Sequence, residues 1–150
     1  MPILRLTQVI HRPVADVFRT VVDLEGFPRW NPTTKAARRL DGGGPGGGAG
    51  NGTRFELEIA GFGKTVQELA EYEANRRVKL VPHIKQISGG HRFTFTPEGA
   101  DTRIDHELEM TPKGIFKLMS PIFGLVGRKN LRATADALKR FLEGERPGPQ

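Results

Sequence analysis

Residues 102–110 read Thr-Arg-Ile-Asp-His-Glu-Leu-Glu-Met and run through Thr111-Pro112-Lys113 into a long apolar stretch from Gly114 to Leu142. In the first segment Ile104, His106, Leu108 and Met110 alternate with Arg103, Asp105, Glu107 and Glu109. That two-residue period is the pattern of an antiparallel strand with one face in a core and the other in water. In the second, Ile115, Phe116, Leu118, Met119, Ile122 and Val126 recur at three- and four-residue intervals, a broad apolar helical stripe rather than a coiled-coil seam. Pro121 lies inside this stretch, and its missing N–H predicts a bend or break there. The junction predicts an α+β architecture in which one sheet grips one long C-terminal helix and leaves a hollow between them.

Working outward, Ile3 to Ile10 reads as a first strand. Pro13 suits the first turn of a short helix through Val22, with Val14, Val17, Phe18 and Val21 as its buried stripe. A second short helical segment runs from Asp23 to Trp30 and stops at Asn31-Pro32, because the residue before a proline is pushed out of the helical region. Strands are predicted at Thr33–Leu40, Thr53–Ala60, Lys64–Tyr72, Arg77–Val81 and His91–Thr96, so that with the first and last the sheet has about seven antiparallel strands. Asp41 to Gly52 is nearly all glycine and has almost no side chains to bury, so it reads as a flexible hairpin loop. The Pro- and Gly-rich residues 144–150 read as a disordered tail after a single domain over 1–143.

The composition narrows the function. Twenty-three Lys and Arg against seventeen Asp and Glu give a formal charge of +6. From Lys113 onward there are eight basic and three acidic residues, so the excess is concentrated on the last helix. Such a cluster either faces solvent or steers an anionic surface. With no cysteine there is no disulfide framework, no thiolate nucleophile and no thiolate zinc site. The first ten residues lack the apolar core of a signal peptide, and no stretch approaches the ~18 apolar residues of a membrane span. A cytoplasmic location is the expectation, without nucleic acid as a partner.

Three stretches carry a family resemblance: Phe27-Pro28-Arg29-Trp30-Asn31-Pro32, then His91-Arg92-Phe93-Thr94-Phe95-Thr96-Pro97, then Thr102 to Pro112 leading into the Gly114 helix. In their order and spacing the chain resembles the START-like, or SRPBCC, superfamily, and within it the polyketide cyclase and dehydratase-like branch. The resemblance implies the helix-grip fold, in which a curved antiparallel sheet wraps a long C-terminal helix. Two short helices after the first strand plug one end, and an internal cavity holds an apolar ligand. The glycine run between Asp41 and Gly52 is longer and poorer in side chains than the hairpin usual in that superfamily.

The alternation assigns the candidate ligand wall. Phe55, Leu57 and Ile59 come from one strand, His91, Phe93 and Phe95 from another, and Ile104, His106, Leu108 and Met110 from the last. Met119, Ile122 and Phe123 join them from the long helix, and Phe18 and Trp30 from the two short ones. Pockets of this kind are apolar with a few polar groups that fix orientation. Here those groups are His91 and His106. His106 is the weak catalytic candidate: it is placed to hydrogen-bond a ligand hydroxyl or carbonyl, to act as general acid or base, or simply to be satisfied within the core. Glu68 falls on the Val66, Ala70 and Tyr72 face of its strand and reads as an edge residue facing water or as a pocket acid.

Other chemistries are disfavoured. Gly61-Phe62-Gly63-Lys64-Thr65 ends like a phosphate-binding loop, but Glu58 stands where its first glycine belongs and a strand follows. Ser88 and Ser120, the two serines, lie outside any Gly-x-Ser-x-Gly elbow. The four histidines, His11, His83, His91 and His106, show no metal-ligand spacing, so neither a metal nor a cofactor is expected. Three functions stay open: binding of a hydrophobic small molecule such as a lipid, isoprenoid, polyketide or aromatic metabolite; a polyketide cyclase or dehydratase using the same cavity; and an interaction module using the basic helix face around Arg128, Lys129 and Arg132.

Overall fold

The computed structural model describes residues 3–40, 50–60, 63–85 and 87–144, apart from the side chains of Phe116, Met119, Ser120 and Phe123. Most of the glycine run, the tail beyond 144, and the predicted wall residues Met119 and Phe123 therefore lie outside the described residues.

The chain runs β1 (Ile3–Ile10), α1 (Val14–Val22), a 3-10 helix (Leu24–Arg29), β2 (Thr34–Arg39), β3 (Arg54–Ile59), β4 (Gly63–Glu73), β5 (Arg77–Pro82), β6 (Ile87–Glu98) and β7 (Asp101–Pro112). A second 3-10 helix (Gly114–Met119) then leads into α2 (Ser120–Leu142). The strands form a seven-stranded antiparallel sheet in the order β1-β7-β6-β5-β4-β3-β2, curved and unclosed, with α2 as the C-terminal helix. This is the helix-grip α+β fold.

The alternation in β7 sets the inner face: Ile104 and His106 are buried, and Phe93 and Phe95 of β6 lie beside them through the pairs Phe93–His106 and Phe95–Ile104. From α1, Phe18 meets Tyr72 and Phe95 edge-on, with ring centroids 5.3 and 5.2 Å apart. Tyr72 reaches this cluster because β4 breaks register between Ala70 and Glu73, where Glu71 adopts φ 50°. Before the break Thr65 and Leu69 are buried; after it Tyr72 packs on the core. An extra residue in one strand re-aims the side chains that follow it. The alternation read from sequence placed Glu68 on the Tyr72 face, but the break separates them, and Glu68 instead pairs with Arg54 and His83 in an exposed cluster.

The long helix departs most from expectation. Residues 114–119 form a 3-10 helix, and Pro121 falls in the first turn of α2. There the absent N–H would have no intrahelical acceptor in any case, so of the expected bend or break it is the break that occurs: the 3-10 helix ends and the proline starts the α-helix. The expected burial of Ile115, Leu118, Ile122 and Val126 is also overturned. Ile115 is 76% and Leu118 84% exposed, and Ile122, Leu125 and Val126 are exposed as well. The buried face of α2 is instead Leu131, Ala135, Leu138 and Leu142.

The reason lies in how α2 is anchored. Lys139 Nζ donates to Val9 O at 2.5 Å and to a Glu143 carboxylate oxygen at 2.8 Å, Arg12 donates to Leu142 O, and His11 N donates to Glu143. These bonds tie the C-terminal half of the helix to the end of β1. Gly127 then lets α2 approach Leu4, Leu108 and Met110, where a Cβ would stand 3.3 to 3.6 Å from their side chains. Beyond it the N-terminal turns leave the apolar face of the sheet.

Candidate functional site

A pocket of about 410 Å³ lies between the sheet, the first 3-10 helix and α2. Its volume falls within the ~300–1,000 Å³ range of small-molecule sites. Trp30 closes one side, with Phe27 packed edge-on at 4.9 Å. Asp23 holds that turn by accepting from Gly26 N at 3.2 Å, and Asn31 accepts from both the N–H and the hydroxyl of Thr33 just beyond it.

The sheet contributes Leu57 and Ile59 from β3, Thr65 and Gln67 from β4, Leu80 and Pro82 from β5, His91 and Phe93 from β6, and Leu108 and Met110 from β7. The helix adds Val126, Gly127, Asn130, Leu131 and Thr134. Gly90 leaves a bare patch of wall beside His91. A Cβ there would lie 2.6 Å from the Leu80 carbonyl oxygen, so only glycine lets β5 and β6 pair at this point.

Seven of the residues expected at the wall line this pocket: Trp30, Leu57, Ile59, His91, Phe93, Leu108 and Met110. Phe18, Phe55, Phe95, Ile104 and His106 lie in the core behind it, and Ile122 is exposed. The polar wall residues Thr65, Gln67, Asn130 and Thr134 carried no signal of their own. The bulge in β4 reverses the phase that Tyr72 sets for the residues before it, and the pocket-facing part of α2 could be found only from where the helix is anchored.

The two histidines act as a unit. His106, 1% exposed, sits behind the wall with Nε2 2.7 Å from Gln8 Oε1 and Nδ1 3.0 Å from His91 Nε2. Gln8 in turn donates through Nε2 to the Ala135 carbonyl of α2 at 3.0 Å. The His91 ring stacks on Phe93 with centroids 4.0 Å apart and planes 14° apart. Burial pushes the His106 imidazole down to about 4 against a lesser upward pull from Asp105, and holds His91 well below the ordinary histidine value, with His106 adding to the effect. Desolvation disfavours the charged form, so both rings are neutral at pH 7. Chemically, the pair presents one imidazole at the pocket, His91, supported from behind by a second, His106, that does not line it.

Among the described residues, no group of three or more His, Cys, Asp or Glu is placed to hold a metal ion. No helix among them is long and apolar enough to cross a membrane.

Residues 1–143 match the family model described as polyketide cyclase / dehydrase and lipid transport. The chain belongs to this family. No curated protein matches the sequence. Among solved structures, a protein of Thermus thermophilus is similar over 97% of this chain and 100% of its own, with TM-score 0.75 and 20% identity. A START superfamily protein from Mycobacterium smegmatis matches over 96% and 99%, with TM-score 0.68 and 17% identity. The Zhui aromatase/cyclase of a Streptomyces species matches over 95% and 93%, with TM-score 0.71 and 14% identity. At these identities the structural likeness concerns the fold, and the START-like, polyketide cyclase-like assignment is consistent across sequence and structure. The family's fold is compatible with hydrophobic ligand binding.

Proposed function

We propose that this protein binds a hydrophobic small molecule, of the lipid, isoprenoid, polyketide or aromatic metabolite class, in the pocket between the sheet and α2. The observation that carries this reading is the pocket itself, about 410 Å³ in volume and walled by Trp30, Leu57, Leu80, Phe93, Leu108 and Leu131. Covering that apolar surface with an apolar ligand releases water at roughly 25 cal/mol per Å². The family description, which joins cyclase and dehydrase activity to lipid transport, supports the same reading. Native mass spectrometry of protein purified from its own host, followed by denaturing extraction, tests it. A bound mass that disappears on denaturation supports the reading; repeated ligand-free masses, with no uptake of apolar probes, overturn it.

A second reading keeps the pocket and adds turnover, as a polyketide cyclase or dehydratase. The hydrogen-bonded pair His91–His106 favours it, because a neutral imidazole on the wall can take a proton from a ligand while its partner shares the charge. In this reading His91 is the general base and His106 a positioning residue. Conversion of a polyketide-like substrate that is lost in His91→Phe while the fold persists supports it; unchanged conversion in that variant removes it.

A third reading makes the N-terminal half of α2 and the turn before it a contact with an anionic lipid surface. Residues 113–132 hold five Lys or Arg and no Asp or Glu, beside the exposed row Ile115, Leu118, Ile122 and Leu125. Co-sedimentation with anionic vesicles that vanishes at high salt supports it, and no binding at low ionic strength removes it.

A further inference from the structure

The pocket histidine has a hydrogen-bonding direction imposed from outside the pocket. The carbonyl of Ala135 can only accept, so the Gln8 atom 3.0 Å from it is the amide nitrogen. The other end of that amide, the oxygen 2.7 Å from His106 Nε2, must then receive a hydrogen. A neutral imidazole carries one N–H, and His106 has placed it on Nε2. His106 Nδ1 is therefore an acceptor, and the atom 3.0 Å from it, His91 Nε2, must be the donor. This leaves His91 Nδ1 as a bare lone pair, with no hydrogen-bond partner among the described residues, on a ring held in place by its stack on Phe93.

Two further features of the wall concern polarity. Trp30 and Thr65, 8% and 7% exposed, each leave a buried polar atom without a partner, Nε1 and Oγ1 respectively. Both atoms lie out of reach of solvent, so neither offers a ready partner to a ligand in the pocket. Among the described residues no Lys or Arg lines the pocket, whereas Glu109 does. A carboxylate or phosphate head group would find no counter-charge there and would lose its hydration.

We propose that the chain Ala135–Gln8–His106–His91 fixes His91 Nδ1 as a hydrogen-bond acceptor and so makes the pocket selective for an uncharged apolar ligand bearing an O–H donor. This rests on the small-molecule reading above and narrows the ligand class within it. An ether or ketone would set lone pair against lone pair at His91, and an anion would do so with a full charge.

The test is calorimetric titration at neutral pH with three probes of one shape: naphthol, methoxynaphthalene and naphthoate. Naphthol binds wild-type protein about tenfold more tightly than the other two, since only naphthol pairs the lone pair of His91. In His91→Phe, which keeps the stack, the advantage of naphthol over methoxynaphthalene disappears while both still bind. Gln8→Leu, which releases the tautomer of His106 from behind, narrows the same advantage. Thermal melts verify that each variant is folded, and the wild-type comparison stands without them. Equal binding of naphthol and its ether, or tightest binding of naphthoate, overturns the selectivity while leaving a hydrophobic pocket in place. Binding of none of the three overturns both.

Discussion

His91 Nε2 lies 3.0 Å from His106 Nδ1, although the register of β6 and β7 sets His91 opposite Leu108 and Phe93 opposite His106. The two imidazoles are thus diagonal neighbours on one face, close enough for a single hydrogen bond. This diagonal contact joins the pocket wall to the core.

The first prediction concerns the protons. Long-range proton–nitrogen correlation spectra at pH 7 are expected to show His91 and His106 both neutral and both protonated on Nε2. Protonation of His91 on Nδ1 instead would contradict the direction traced back to the Ala135 carbonyl.

Stability should depend on pH through the same pair. Both folded-state values lie below the ordinary 6.5 because burial opposes the charge. Below about 6.5 the unfolded chain therefore binds protons that the folded chain refuses. The contribution is full above the unfolded value and is lost as pH falls from there, for His106 toward about 4, at up to about 1.4 kcal/mol per pH unit for each histidine. Urea midpoints measured from pH 7.5 to 4.5 should fall, and His106→Gln should flatten the slope. A midpoint independent of pH over that range would rule out two buried neutral imidazoles.

Gln8→Leu leaves the His106 N–H buried without an acceptor. It should cost about 1–3 kcal/mol by urea denaturation. A loss under half of that would mean that water or another group takes over from the amide.

Two glycines should respond in opposite directions. At Gly90 a Cβ would collide with the Leu80 carbonyl, so Gly90→Ala must part β5 from β6, costing about 1–3 kcal/mol and reshaping the pocket. At Gly124 in α2 a Cβ meets nothing within 4 Å. Gly124→Ala should raise stability by up to about 1 kcal/mol, from helix propensity alone. Thermal melts of the two variants decide it; destabilisation by Gly124→Ala would show that the face is covered.

The two halves of α2 should likewise differ. Leu138→Ala, in the core, should cost about 2–5 kcal/mol. Leu118→Gln, exposed, should stay within about 0.5 kcal/mol of wild type. A large loss at Leu118 would mean that this turn packs on a partner in solution.

Much of the fold was legible in the residues, because half-buried strands write their inner faces as alternation. β3, β6 and β7 could be oriented from Phe55, Phe93 and Ile104 alone. The candidate site was legible in part for the same reason: Leu57, Ile59, His91, Phe93, Leu108 and Met110 follow from phase. Thr65 and Gln67 did not, because the bulge at Glu71 shifts the phase of β4 and a bulge leaves no mark in an alternating pattern.

The sequence by itself determined the strand and helix segments, their order, and the family to which they belong, since hydrophobic period and turn residues are local properties. Which apolar residues of the last helix are buried was decided by the tertiary structure, through the bonds from Lys139, Arg12 and His11 that anchor one end of α2 to β1. Tertiary structure also decided which histidine meets the pocket. His91 and His106 are alike in alternation, and only the curvature of the sheet against the first 3-10 helix and α2 puts one on the wall and the other behind it, backed by a glutamine 98 residues away in sequence.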